Sequence, residues 1–250
     1  MSDLSPTDRT RITRLPERGV ADRAALLDLL GEGIVAHVAV DAGDHPVALP
    51  VAYGVDPDGP DEGGTLYLHG SVAAGWMRQA PGTTVCVTVT ALDGLVLARS
   101  GFHHSMNYRC AVVIGEARLV DSPEERGHAL DLVVDQIVPG RSATLRAHTR
   151  KELAATAVLA VPLLEASLKV RTGGVKDEPE DIAAGVWAGV LPLRTTAGEV
   201  ETEPDTSSPV PDDVAARARE LRGYLDDGAG PGRTPSGASV TAAERADLRR

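Results

Sequence analysis

Between residues 34 and 120 the chain is written in short β-branched and aliphatic runs, each closed by glycine, proline or aspartate. The run TTVCVTVTAL (83–92) alternates valine with smaller or polar residues at a period of two, the spacing that puts one side of a strand into a core. Ile34–Val40 and Val47–Val55 flank the polar turn AGDH and predict a hairpin. TLYLHG (65–70), LVLARS (95–100) and CAVVIGEARLV (110–120) supply further runs. Six strands at these spacings predict a mainly β fold with flanking helices, its sheet closed or partly closed into an antiparallel barrel that leaves few exposed edges.

Helix signals punctuate the strands. Asp22 is suited to cap RAALLDLLGEG, with Gly31 and Gly33 as its terminators, and SVAAGWMRQAPG holds a short helix ended by proline and glycine. Ser122–Glu125 is a capping box with Pro123 in the first turn, ahead of HALDLVVDQIV. Thr149–Glu152 repeats the device before LAATAVLAV, so two helices are expected after the sixth strand, followed by an extended EASLKVRTG and the apolar WAGVLPL. The expected organisation is an arm over 1–20, a folded domain over 21–195, and a mostly disordered acidic tail over 196–250 with a short helix at 213–225.

The net charge of −11 argues against nucleic acid or an anionic membrane as the main partner, because both require a concentrated basic face. The N-terminal stretch lacks an apolar signal region, and no run approaches the roughly 18 apolar residues of a membrane span, which predicts a cytoplasmic protein. Cys86 and Cys110 lie in apolar β runs without a CxxC spacing, so neither a structural disulfide nor a zinc–thiolate site is expected.

Two polar constellations carry the chemistry. In LVLARSGFHHSMNYRC (95–110), Ser100, His103, His104, Ser105, Asn107, Tyr108 and Arg109 interrupt two apolar strands, the kind of loop where binding sites gather. His103 and His104 are adjacent and do not form a bidentate metal site by spacing. In TLYLHGSVAAGWMRQ (65–79), a strand ending in His69-Gly70-Ser71 and running into a helix reads either as a phosphate cradle or as ordinary cap chemistry. Lys169 and Arg171 in SLKVRTG read equally as a solvated edge or as an anion-binding pair. Trp76 and Trp187 read first as packing residues.

Taken in order, LYLHGS, VCVTVTALDG, DGLVLARSGFHHSMNYRCAVVIGEARLV, SLKVRTG and VWAGVLPL resemble the pyridoxamine 5′-phosphate oxidase superfamily, in its nitroimidazole-resistance branch, across roughly residues 10 to 195. The resemblance implies a homodimeric flavin-reductase-type split β-barrel with FMN at the subunit interface. It implies that Pro50, Val51 and Ala52 line the flavin ring, that His69, Gly70 and Ser71 approach the ribityl phosphate, and that Ser105 and Asn107 complete the pocket. Trp187 would come from across the interface, and His69 would be the catalytic or substrate-contacting group. Relatives commonly carry Ser-Arg where this chain has Ala74-Gly75, so Arg78 or Arg109 would have to supply the missing phosphate contact. The activity implied is a flavin-dependent oxidoreductase passing electrons from a reduced nicotinamide or deazaflavin to a small aromatic or nitro-type acceptor. The rival is a non-catalytic protein on the same fold that binds a deazaflavin or haem, with His69, His103 and His104 as candidate iron ligands.

Overall fold

The computed structural model describes residues 3–223. Helix α1 (Arg23–Glu32) starts where the Asp22 carboxylate accepts a hydrogen bond from the Ala24 amide. It buries Leu26, Leu29 and Leu30, and each fully buried leucine contributes about 1.5–3 kcal/mol. The predicted terminator Gly33 does not adopt the left-handed conformation; its φ is −70°. Glycine is needed there for space, because a Cβ would lie 2.5 Å from Val89 Cγ1 and 2.6 Å from Tyr53 Oη.

The strands are β1 (Gly19–Val20), β2 (Ala36–Asp41), β3 (Pro46–Val51), β4 (Tyr53–Asp56), β5 (Thr65–Ser71), β6 (Thr84–Leu97), β7 (Ser105–Glu116), β8 (Arg118–Leu119), β9 (Thr156–Pro162), β10 (Ala166–Arg171) and β11 (Gly189–Pro192). They form two sheets: a 7-stranded sheet in the order β1-β10-β7-β6-β2-β3 with β11 also on β6, and a 4-stranded sheet in the order β4-β5-β9-β8. Every strand pair within these sheets is antiparallel. The main core lies between them, where Val38, Val87 and Val113 of the larger sheet and Leu66, Leu68 and Leu159 of the smaller one join the α1 leucines.

The mainly β character with flanking helices stands, but the closed or partly closed barrel does not. No ladder joins the two sheets. The chain crosses to the smaller sheet at Ala52, after β3, and at Ala117, after β7, and returns to the larger one over residues 72–83 and 163–165, and side-chain packing fills the interior between them. The run Val47–Val55, expected as one strand, is therefore two strands in different sheets. Tyr53, the first residue beyond the crossing, is fully buried, with its hydroxyl 2.5 Å from Leu30 O and 3.0 Å from Gly33 O. Burial, with Glu32 nearby, pushes its phenol well above the usual range. Conversely, TTVCVTVTAL and LVLARS share one long strand, β6, whose register shifts between Leu92 and Gly94.

Helix α2 (Gly75–Gln79) and helix α3 (Pro123–Ile137) appear where expected. The second predicted late helix is cut short: α4 (Arg150–Ala155) has its complete Thr149–Glu152 capping box, then Thr156 begins β9. Between β5 and β8, β9 buries Leu159 and Val161 in the main core and Val158 and Ala160 in a smaller cluster against α3. An apolar run buried on both faces loses the alternation that marks a strand.

The N-terminal segment docks onto the domain, with Leu4 only 7% exposed and β1 paired to β10. Two further helices are α5 (Pro179–Ala183) and α6 (Asp212–Gly223), the latter tied to the body by an Arg141–Asp213 ion pair of 3.3 Å. The last two residues of the expected 213–225 helix, and the tail beyond, lie outside the described residues. Among those described, both cysteines are free, no group of histidine, cysteine and carboxylate residues is arranged to hold a metal, and no helix is long and apolar enough to cross a membrane.

Candidate functional site

The end of β5 and the crossing at Ala52 form one part of the site. Tyr53, the residue after Ala52, pairs with Leu68, the residue before His69. Pro50 is exposed opposite His37, and Val51 is half-buried opposite Ala36. His69 is half-buried opposite Val158, and its Nδ1 is buried without a hydrogen-bond partner. A buried polar atom left unpaired costs about 1–3 kcal/mol, a condition that Arg99 Nε, Ser100 Oγ and Arg217 Nε share. Gly70 has a packing reason: a Cβ would meet Met77 Cγ at 2.9 Å, so glycine lets α2 close onto β5. Ser71 Oγ accepts from the Ala73 amide. Arg78 is exposed and makes no hydrogen bond or ion pair among the described residues.

The second part surrounds the end of β6 and the start of β7. Arg109 faces two carboxylates, donating to Asp93 at 2.9 and 3.1 Å and to both oxygens of Glu32. Those bonds, led by Glu32, hold its guanidinium firmly protonated, and the structure leaves it engaged rather than free for a phosphate. Asn107 donates to Gly173 O at 3.1 Å and accepts from Arg171. Ser105 stands at the head of β7 opposite Val96. His104 Nδ1 lies 2.9 Å from Ser100 O; its Nδ1–H donates there, which turns Nε2 outward as an acceptor. His103 Nε2 is 3.9 Å from Glu178 and its ring meets Phe102 edge-on. Trp187, 69% exposed, precedes β11.

No hydrogen bond joins the two parts among the described residues. What sequence spacing missed is the clasp that anchors the stretch after β10. Asp177, its side chain 1% exposed, accepts from the Arg99 amide and from Arg99 Nη1 at 2.8 Å. The two residues are 78 positions apart, and no local pattern in KDEPE signals that partnership.

The fold and these motifs can be set beside known proteins. The family model for pyridoxamine 5′-phosphate oxidase matches residues 22–170.

The chain belongs to the pyridoxamine 5′-phosphate oxidase family.

Within that family fold, it is similar to the FAD and haem binding protein from Mycobacterium smegmatis, with 42% identity and a TM-score of 0.73 over 80% of this chain and 96% of that one. It is also similar to the flavocytochrome Anf3 from Azotobacter vinelandii, with 32% identity and a TM-score of 0.77 over 85% of this chain and 98% of that one. A candidate 5-nitroimidazole antibiotic resistance protein from Bacteroides thetaiotaomicron, at 20% identity and a TM-score of 0.50 over 61% of this chain and 86% of that one, shares the fold. None of the curated proteins matches the chain in sequence.

Proposed function

We propose that this chain is a redox protein that binds a flavin, FAD, together with haem, and that it works as a homodimer. The observation that carries this is His69, half-buried with an unpartnered Nδ1 in a chain similar over most of its length to an FAD and haem binding protein and to a flavocytochrome. The donor set suits iron: neutral imidazole is a ready haem ligand, and His104, its Nδ1 tied to a backbone carbonyl, has the orientation typical of a metal-binding histidine. FAD is put forward rather than FMN or a deazaflavin because it is the flavin of that first relative.

When bound, flavin would supply two-electron redox chemistry and haem one-electron exchange. The chain's own part is to hold and orient. In this reading Pro50, Val51 and Ala52, at the crossing from β3 to β4, serve the flavin ring, His69, Gly70 and Ser71 at the end of β5 serve its phosphate side, and Ser105, Asn107 and Trp187 complete the site. Support for a homodimer comes from exposed apolar groups around that second part: Phe102, Met106, Ile182, Val186, Trp187 and Leu191. Leu191, Leu95 and Met106 form a continuous row across β11, β6 and β7. Electron delivery by a nicotinamide or deazaflavin to an aromatic or nitro-type acceptor, in the cytoplasm, is the finer form of the same proposal; its likeness to the nitroimidazole protein is one of fold alone.

Titrating haemin into wild type, His69→Ala, His104→Ala and His103→Ala tests the ligand assignment. Loss of His69 or His104 should weaken binding at least about tenfold and shift the Soret band, while His103→Ala should leave both unchanged. Identical spectra and affinities in all four proteins would contradict it.

A further inference from the structure

Asp93 and Arg171 are charged residues each only 8% exposed, and the Asp177 carboxylate held by Arg99 is buried as well. Asp93 is neutralised by Arg109, but Arg171 has no carboxylate partner among the described residues. Its guanidinium donates to Asn107 Oδ1 and, at 3.3 Å, to Gly174 O, and its remaining N–H groups have no acceptor among the described residues. Arg18 directly precedes β1, whose Gly19 pairs with Lys169, and its charge acts on Arg171; it too makes no ion pair among the described residues. Lys169 donates to the Arg14 backbone carbonyl at 2.8 Å, and among the described residues neither Lys169, Arg18 nor Arg171 has a carboxylate partner and Glu17 makes no ion pair. Burial, with Arg18 nearby, lowers the Arg171 pKa, although Tyr108, its cross-strand neighbour, opposes this.

In a chain of net charge −11, an unneutralised buried cation beside a second one is expensive unless an anion joins them. We propose that Arg171, Arg18 and Asn107 form an anion subsite for a phosphate-type group, and that its occupant is the pyrophosphate of a dinucleotide flavin. A guanidinium matches two phosphate oxygens at once, and Asn107 holds the fork in place. The site stands on residues outside the β5 turn where the sequence suggested a phosphate cradle. Naming the flavin as occupant rests on the flavin reading above; the anion subsite does not.

The test is to titrate inorganic pyrophosphate, FAD and riboflavin into the full-length wild type, Arg171→Met and Arg18→Met, following melting temperature and binding heat. Pyrophosphate should stabilise wild type but not Arg171→Met, and FAD should bind each variant at least about tenfold more weakly, with riboflavin unaffected. Without ligand, Arg171→Met should melt no lower than wild type, since it removes an uncompensated charge; a purely structural arginine would give a clear drop. Pyrophosphate binding that needs Arg171 alongside unchanged FAD binding would overturn the flavin as occupant while keeping the subsite. FAD bound by wild type, with both variants matching it for every ligand, would overturn the subsite while sparing the flavin reading.

Discussion

Single residues show how far the sequence can be read. The caps Asp22, Ser122 and Thr149 all accept the expected amide hydrogen bond, because capping depends on neighbours a few positions away. Even so, only Thr149–Glu152 closes a full box. The Glu125 carboxylate is drawn away from its helix start to Arg118 and Tyr67, which no local pattern reveals. The sequence singles out His69 through its place at the end of LYLHGS, but that its Nδ1 is buried without a partner depends on the surrounding fold. Two substitutions test the residue-scale account. Tyr53→Phe removes the hydroxyl serving the last carbonyls of α1 and should cost about 1–3 kcal/mol in denaturant unfolding. Gly54→Ala would push a Cβ within 2.9 Å of Leu132 C and Val133 N on α3. Because that contact is with backbone, it should destabilise by about 1–3 kcal/mol.

At the scale of elements, the alternating strands were legible and the doubly buried ones were not. β6 declares itself through TVCVTVT, whereas β9 hides its strand character because both its faces are apolar. Ion pairs between elements were the least legible, as Arg118 illustrates in joining β8 to Asp61 and Glu125. Arg118 holds Glu125 below the usual carboxylate range. Burial would raise Asp61, but bonds from Arg118 and Thr65 outweigh it and bring it down as well. Depressed folded-state values mean that this stabilisation is present above the unfolded pKa, about 4, and is lost as pH falls through the folded values. Arg118→Met should therefore destabilise by about 1–3 kcal/mol at pH 7, with the difference from wild type shrinking below about pH 4; a constant difference would contradict this. Tyr67, pushed up to about 12 by burial and by Glu125, stays neutral throughout. Asp177→Ala should free the segment after β10 and leave Arg99 unpaired, costing about 3 kcal/mol and opening residues 172–192 to limited proteolysis.

For the whole molecule, the two-sheet core positions the β5 end and the histidine loop, and Phe102, Met106, Trp187 and Leu191 are exposed apolar side chains. The family was legible because its motifs recur in order along the chain; the pairing of sheets was not, because closure depends on contacts across long stretches of sequence. Sedimentation should give a dimer, and charged substitutions at Met106 and Leu191 together should shift it to monomer. The most direct test of the central claim is the absorption spectrum of the protein as purified, with the bound pigments extracted and identified. Flavin bands together with a Soret band, FAD in the extract, and loss of the Soret band in the His69→Ala or His104→Ala variant are the predicted result. A colourless protein that also takes up neither FAD nor haemin on titration would contradict it.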